Sequence, residues 1–291
     1  MYEMRNDEEV QSAAKALFLG CAPERREELS VLWGKLKPEF QVHADNHPDG
    51  QFIFDAGAYR YVRFNARAMR LFWLGAYIAW EGFCATPNEC DTPTDFSRFK
   101  SMLDVFLATM SAADPESVDL PVDVPEPGTF PGAAGDPNGQ APAELATVAT
   151  AWSLLHEVRH LQHQQDGTGT DPDTDDRTAV RGEETSCDQF ATEFLMEKVA
   201  DYAAESGFDE ARVLQKRQLG VYMALFTIAL LTKDRWGTSD SHPALADRLE
   251  AAKACFGSQR QSEADHIAEL AFQALGHAWP GAPIFAAEAA Q

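Results

Sequence analysis

Two histidines four residues apart, with a glutamate directly after the first, are the residues of this chain best suited to chemistry. They are His156, Glu157 and His160, in the pentapeptide HEVRH. On an α-helix, residues four apart lie above one another on the same face, so both imidazoles can reach one metal ion. Glu157 then points at the edge of that site, where its carboxylate can take a proton from a metal-activated water. The spacing therefore predicts a hydrolytic zinc site.

The residues before His156 predict the helix that this arrangement needs. The stretch 143–156 contains no glycine or proline. Apolar residues recur in it at three- and four-residue spacing, at Leu145, Val148, Trp152 and Leu155. This period indicates a helix with a buried stripe. Pro142 fits the first turn, where the missing N–H of proline costs little. Both histidines therefore fall near the end of a long, buried helix.

A catalytic zinc site needs a third protein ligand, and a second helix, predicted to begin after Gly182, carries candidates. Glu184 and Asp188 lie four residues apart and share a face with apolar neighbours. Burial of two carboxylates there is costly unless a cation compensates them. We expect Glu184 to be the third ligand and Asp188 to accept the remote N–H of a ligand histidine. Glu183 competes for the ligand role, and so does His163, one turn further along the first helix.

A third segment, residues 241–249, supplies a donor and a cation. It begins Ser-His-Pro and reads as the opening of a short helix, with an arginine six residues after the histidine. His242 is our candidate for donating a hydrogen bond to the oxyanion of a tetrahedral intermediate. Arg248 is our candidate for orientation or charge support. The alternative is a helix-capping turn with a surface salt bridge.

Together these segments resemble the gluzincin zinc metallopeptidases. Their order is similar to that of the HtpX and CAAX prenyl-protease group, but the gap of 23 residues between His160 and Glu184 resembles two soluble groups more closely. The approach TAWSLLHEVRHLQ and the Ser-His-Pro element resemble the Lit-type phage-exclusion peptidases. The helix EETSCDQFATEFLM resembles the ImmA/IrrE type, although that type commonly closes this helix with Met-Pro and here Met196 is followed by Glu197. The resemblance covers residues 143–250 and is closer to the Lit type.

The resemblance implies a mainly helical α+β fold, zincin-like, with a small β-hairpin or sheet beside the active-site helix. It implies a zinc-dependent endopeptidase that hydrolyses a specific intracellular protein, with Zn²⁺ held by His156, His160 and Glu184 and with Glu157 as the base. The alternative is a zinc-binding regulatory protein of ImmA/IrrE type that acts by docking a partner. The intact Glu157 argues against it, because a scaffold needs no base. A helical protein with a fortuitous motif would require three coincidences along the chain.

Bulk properties narrow the class of partner and the compartment. The net charge of −22 and pI near 4.6 argue against nucleic-acid binding, which needs clustered Lys and Arg. Five cysteines at irregular positions do not form a disulfide framework, and the N-terminus lacks a signal stretch, so we expect a cytoplasmic protein. The apolar runs 71–80 and 219–232 fall short of the ~20 residues of a bilayer span, which predicts buried core helices and no membrane association.

Along the chain, three regions are expected to form one compact unit. Residues 1–111 form a helical and β-hairpin region, 112–142 a Pro/Gly-rich loop, and 143–291 the zinc-binding catalytic region. The first region is predicted to contain one or two amphipathic helices (8–37), a hairpin of Phe40–Asp45 with Gln51–Ala56, and helices over 59–84 and 96–111.

Two connections near the predicted site have expected roles. Residues 118–124 are expected to form either an edge strand that pairs with the substrate backbone or a plain surface connection. The connection 164–181 contains five aspartates and is expected to form an acidic loop near the cleft mouth. It is not an EF-hand, because counting from Asp171 the sixth position is Asp176 instead of Gly and the twelfth is Gly182 instead of Glu.

Overall fold

The protein is mainly helical, with one small sheet. Its computed structural model describes residues 7–43, 52–57, 60–86, 95–130, 137–171 and 173–286. The helices in these ranges are α1 (Asp7–Gly20), α2 (Arg26–Leu36), α3 (Ala66–Ala85), α4 (Ser97–Ser111), α5 (Pro137–Asp166), α6 (Arg177–Met196), α7 (Val199–Ser206), α8 (Glu210–Leu231), α9 (Leu245–Phe256) and α10 (Ser262–Ala278). The strands are β1 (Glu39–His43), β2 (Phe54–Gly57) and β3 (Tyr61–Asn65). The predicted mainly helical α+β class is confirmed.

Helix α5 lies at the centre of the fold and packs against α3, α6 and α8. The two apolar runs form the middle of α3 and the end of α8, and most of their side chains are buried. Both are core helices, as the sequence predicts. No helix in the described ranges is long and apolar enough to cross a bilayer. Because α5 is enclosed on three sides, the residues on its remaining face are held in a rigid frame.

Two glycines allow α8 and its neighbours to approach closely. A Cβ added at Gly75 of α3 would overlap the Thr227 side chain of α8, and one added at Gly220 of α8 would overlap Val148 of α5. Helices approach this closely only where one of them lacks a side chain. The second contact fixes α8 against α5, two turns before His156.

We expect Gly220→Ala to destabilise the protein by about 1–3 kcal/mol, because Val148 belongs to an enclosed helix and cannot move away without strain. Gly276→Ala is the matched control, since Gly276 is also helical and nothing lies within 4 Å of an added Cβ. That change should stabilise the protein by about 0.5–1 kcal/mol through helix propensity. Denaturant midpoints of the two variants provide the comparison. Equal stability of both would show that the α5–α8 contact is looser than the structure indicates.

The sheet has the order β1-β3-β2. Strand β3 pairs in parallel with β1 and antiparallel with β2, with Phe54 opposite Phe64. The predicted hairpin of Phe40–Asp45 with Gln51–Ala56 is therefore wrong: β2 pairs with β3 instead of β1. The buried Val62 and Phe64 alternate with less buried residues, which suits a central strand. The turn-rich insert 46–50 lies outside the described residues.

Several predicted helix bounds also differ from the structure. The helix predicted over 59–84 begins only at Ala66, where Asn65 caps it by accepting the N–H of Ala68. Helix α5 begins at Pro137, so Pro142 lies inside the helix instead of in its first turn. Helix α6 begins before Gly182, capped by Asp176. These ends depend on capping contacts and packing, which apolar periodicity does not report.

The strand proposed at 118–124 is also wrong. Pro115–Ser117 forms a short 3-10 helix, and the residues after it run as turns and irregular backbone. This segment is tied to α3 by side chains: Arg70 donates to the Val118 carbonyl, and Trp73 Nε1 donates to the Pro125 carbonyl at 2.8 Å. These two backbone carbonyls accept hydrogen bonds from α3 side chains. They are therefore not free to pair with the backbone of a substrate.

Candidate metal centre

Helices α5 and α6 bring His156, His160 and Glu184 to one point. The Nε2 atoms of the two histidines lie 3.2 Å apart. The Glu184 carboxylate faces both, with Oε2 3.3 Å from His156 Nε2 and Oε1 3.4 Å from His160 Nε2. The Glu184 side chain is 12% exposed, and among the described residues its buried Oε2 has no hydrogen-bond partner. Four ligand-type atoms of three side chains therefore converge.

These distances fit a tetrahedral zinc ion. Nitrogen and oxygen ligands about 2.0–2.2 Å from zinc lie roughly 3.3–3.6 Å from one another at tetrahedral angles. The two Nε2 atoms are 3.2 Å apart, and each lies 3.3 or 3.4 Å from one of the two Glu184 oxygens. A buried carboxylate oxygen without a partner is costly, and a divalent cation between the three side chains would compensate it. The donor set of two imidazoles and one carboxylate is also a common one for catalytic zinc.

The side of His156 away from this point is held by a buried ion pair. His156 Nδ1 donates to Asp188 Oδ1 at 2.9 Å. Arg248 donates to both Asp188 oxygens, through Nε and Nη2, each at 2.7 Å. All three residues are buried. Asp188 thus fixes the His156 ring, as expected from the sequence, and the role of Arg248 in the structure is to hold Asp188.

His160 has a corresponding partner in Glu183. His160 Nδ1 donates to Glu183 Oε1 at 2.7 Å. Glu183 Oε2 accepts both the backbone N–H of Thr170, at 2.5 Å, and its hydroxyl, at 2.8 Å. Glu183 therefore lies on the Nδ1 side of the ring, while Glu184 lies on the Nε2 side. The loop before α6 reaches the candidate metal centre through Thr170, a contact that sequence patterns do not reveal.

Cys187 is a neighbour of the site that the sequence analysis missed. Ligand-type atoms of His156, His160 and Cys187 all lie within 4.8 Å of one another. Burial raises the pKa of the Cys187 thiol. Glu184 remains our candidate for the third ligand, because its carboxylate faces the Nε2 atoms of both histidines. The helical spacing contained a signal, because Cys187 follows Glu184 by three residues and so shares its face.

His163 is engaged elsewhere. Its Nδ1 lies 2.9 Å from the Thr168 hydroxyl and its Nε2 3.2 Å from the Ser186 hydroxyl. These contacts direct the ring toward the start of the acidic loop and away from the Nε2 atoms of the other two histidines. The competing ligand role for His163 thus has no support in the geometry.

The pKa shifts of His156 and Glu184 are those expected at a site that can bind a cation. Burial lowers the pKa of His156, but the neighbouring Asp188 and Glu184 carboxylates outweigh this effect and raise the pKa to about 10. Burial raises the pKa of Glu184, yet its contacts with His156 and His160 hold it well below the usual range. Without a metal, protons on the imidazoles balance the carboxylates. A zinc ion would replace those protons, so that binding releases them.

Glu157 and His242 line one cavity with the candidate metal centre. The cavity has a volume of about 560 Å³ and is also lined by His156 and Glu184, within the usual size of ligand sites. Glu157 is 9% exposed, and its burial raises its pKa to about 7. A carboxyl group with a pKa near neutrality suits a general base.

His242 approaches from the opposite wall. Its Nε2 lies 3.5 Å from Glu184 Oε2, and its side chain is 52% exposed. The backbone around it is fixed, because the His242 N–H donates to the Ser239 hydroxyl and the Ser239 N–H donates to the His242 carbonyl. Its Nδ1 lies 2.7 Å from the Ser241 hydroxyl. The imidazole is thus placed where it can donate toward a group bound beside Glu184.

The acidic connection before α6 does not line this cavity. No described residue between 164 and 181 is among the lining residues. Asp171 and Asp175 are used within the loop, where Asp175 accepts the N–H of Asp171 at 2.7 Å. The loop reaches the site through Thr170, which donates to Glu183, the partner of His160. The negative charge of the loop therefore lies away from the cavity.

Comparison with known protein families gives a match over most of the chain. The family model described as Peptidase U49 matches residues 62–271. No curated protein and no solved structure matches the chain. The matched range extends from the central strand β3 to the middle of α10 and includes α5, α6 and the connection that carries His242.

Proposed function

The chain belongs to the Peptidase U49 family, and from this we propose that it is a zinc-dependent endopeptidase that cleaves a specific protein substrate. The observation that carries the proposal is the convergence of two histidine Nε2 atoms and an unpartnered, buried Glu184 oxygen, in a cavity that Glu157 also lines. A structural zinc site would have four protein ligands and no open position. Here the fourth side faces a cavity large enough for a peptide segment.

His156, His160 and Glu184 would hold the zinc ion. When bound, zinc acts as a Lewis acid that polarises the scissile carbonyl and makes water more acidic. Asp188 and Glu183 orient the two imidazoles by accepting their Nδ1 protons. Arg248 is a positioning residue in this scheme, because its guanidinium is occupied by Asp188.

Proton transfer is assigned to Glu157. Its carboxylate would accept a proton from the attacking water and deliver it to the leaving nitrogen, so that the peptide bond breaks without a free amide anion. His242 would donate a hydrogen bond to the oxyanion of the tetrahedral intermediate. Its neutral form carries one N–H, and the contact of Nδ1 with the Ser241 hydroxyl is compatible with a proton on Nε2.

Strand β2 is the element best placed to hold the substrate backbone. It pairs with β3 alone among the described residues, and its Phe54 lines the cavity. An extended peptide can add to such an edge through backbone hydrogen bonds, which are indifferent to sequence. We therefore assign to β2 the pairing with the substrate backbone that was predicted for residues 118–124.

Metal removal provides the direct test. We expect protein stripped by a chelator to produce no new protein N-termini in a cell lysate, and one zinc per chain to restore a small set of them. Zinc content and N-termini are measured on the same samples. Absence of zinc binding would overturn the metal site. Zinc binding without any new N-terminus would favour the regulatory role of docking a partner.

A further inference from the structure

Arg235 is a charged residue of the cavity that the proposed mechanism does not use. The walls are largely apolar and include Phe52, Phe54, Phe72, Ile228, Leu231 and Trp236. Besides the metal-site residues, two arginines line the cavity, Arg235 and Arg248. Arg248 is paired with Asp188, whereas no carboxylate lies within salt-bridge distance of Arg235 in the part of the chain that the structure describes.

Acidic partners are plentiful in this chain, which has 46 acidic and 24 basic residues. Other arginines form ion pairs with carboxylates, among them Arg25, Arg63, Arg70, Arg98, Arg217 and Arg260. Arg235 is exposed, and its guanidinium thus remains available at a cavity that must accept a peptide. Its planar fork matches a carboxylate through two parallel hydrogen bonds.

The backbone holds Arg235 in a defined place. The N–H of Arg235 donates to the Thr232 carbonyl at 2.7 Å, and the next residue, Trp236, donates through Nε1 to the Ala229 carbonyl at 2.8 Å. Asp234 has a φ of 64°, a left-handed conformation that aspartate tolerates better than most residues. The connection therefore turns sharply at Asp234 and presents Arg235 at the cavity, on the same segment that carries His242.

We propose that Arg235 binds a carboxylate of the substrate close to the scissile bond, and that the cavity selects segments in which this carboxylate accompanies a large apolar side chain. This inference rests on the proposed peptidase function. Since the protein carries a net charge of −22, its overall field repels acidic segments, and a local cation is needed to accept one. The apolar walls provide contacts for the accompanying apolar side chain.

The test compares wild type with Arg235→Gln, Arg235→Lys and a control, Lys233→Gln. Lys233 is on the same connection but lies over the Trp279 ring and does not line the cavity. New N-termini in lysate define the cleaved segments. The best segment is then made as a synthetic peptide, as its Glu→Gln or Asp→Asn analogue, and with a free or amidated C-terminus.

We expect an acidic residue at one fixed position of the cleaved segments, and a fall in kcat/KM for the acidic peptide of about threefold to tenfold in Arg235→Gln. The neutral analogue should be cleaved equally by both proteins, Arg235→Lys should keep part of the preference, and Lys233→Gln all of it. If amidation removes the preference instead, the carboxylate is the substrate C-terminus. An equal loss on both peptides, or no acidic preference in wild type, overturns the inference while cleavage persists. No cleavage by wild type overturns the proposed function, and the inference with it.

Discussion

We expect Glu157→Gln to retain one zinc per chain and to lower kcat/KM on the order of 10³-fold. The amide has nearly the size and shape of the carboxyl group but cannot accept a proton, so water is not activated and the leaving nitrogen is not protonated. The fold should tolerate the change, because burial already raises the pKa of Glu157 to about 7 and the site accommodates a neutral group.

The measurement for this variant is cleavage of an identified peptide at saturating zinc, with zinc content determined on the same sample. Glu263→Gln is the matched control, since Glu263 is exposed on α10 and outside the cavity; its activity should equal that of wild type. Full activity of Glu157→Gln would remove Glu157 from the mechanism. Loss of zinc would place it among the ligands instead.

Glu184→Gln should weaken zinc binding by at least about 10³-fold, whereas Glu183→Gln should weaken it by only about 10–100-fold. The two residues are adjacent and the substitution is the same. The comparison therefore isolates the effect of side-chain position on zinc affinity. Glu184 faces the Nε2 atoms of both histidines. Glu183 faces His160 Nδ1 and acts through the orientation of that ring.

Competition with a chromophoric chelator measures both affinities. The reverse order would make Glu183 the ligand. If neither change matters, Cys187→Ser becomes the informative variant, because Cys187 lies within ligand range of both histidines. In that case the cobalt-substituted protein should show a thiolate charge-transfer band that Cys187→Ser abolishes.

Local sequence patterns were sufficient for the features that depend on one helix. The four-residue spacing of His156 and His160 places both on one face whatever the rest of the chain does. The apolar runs in α3 and α8 could be recognised as core helices from their length and lack of charge, and both are buried. A contact between Asp188 and one of the two histidines was also expected, because a buried carboxylate needs a compensating cation nearby, and Asp188 contacts His156.

Local sequence patterns could not predict which strands pair with one another. The stretch 61–65 alternates in the period of a strand, but it runs directly into the apolar helix α3, and a short strand beside a long helix is hard to separate by periodicity. Which strand it pairs with depends on contacts between segments distant in sequence. The parallel pairing of β1 with β3 is such a contact.

The sequence by itself determined that two histidines and the adjacent Glu157 share one helix, and it predicted the helical class, because both follow from residue types and spacing. Only the tertiary structure showed which of Glu183 and Glu184 faces the histidine Nε2 atoms, placed Cys187 beside the histidines and brought Arg235 to the cavity. The physical reason is rotation: adjacent helical residues point about 100° apart, so the docking of α6 on α5 selects the carboxylate that faces the histidine Nε2 atoms.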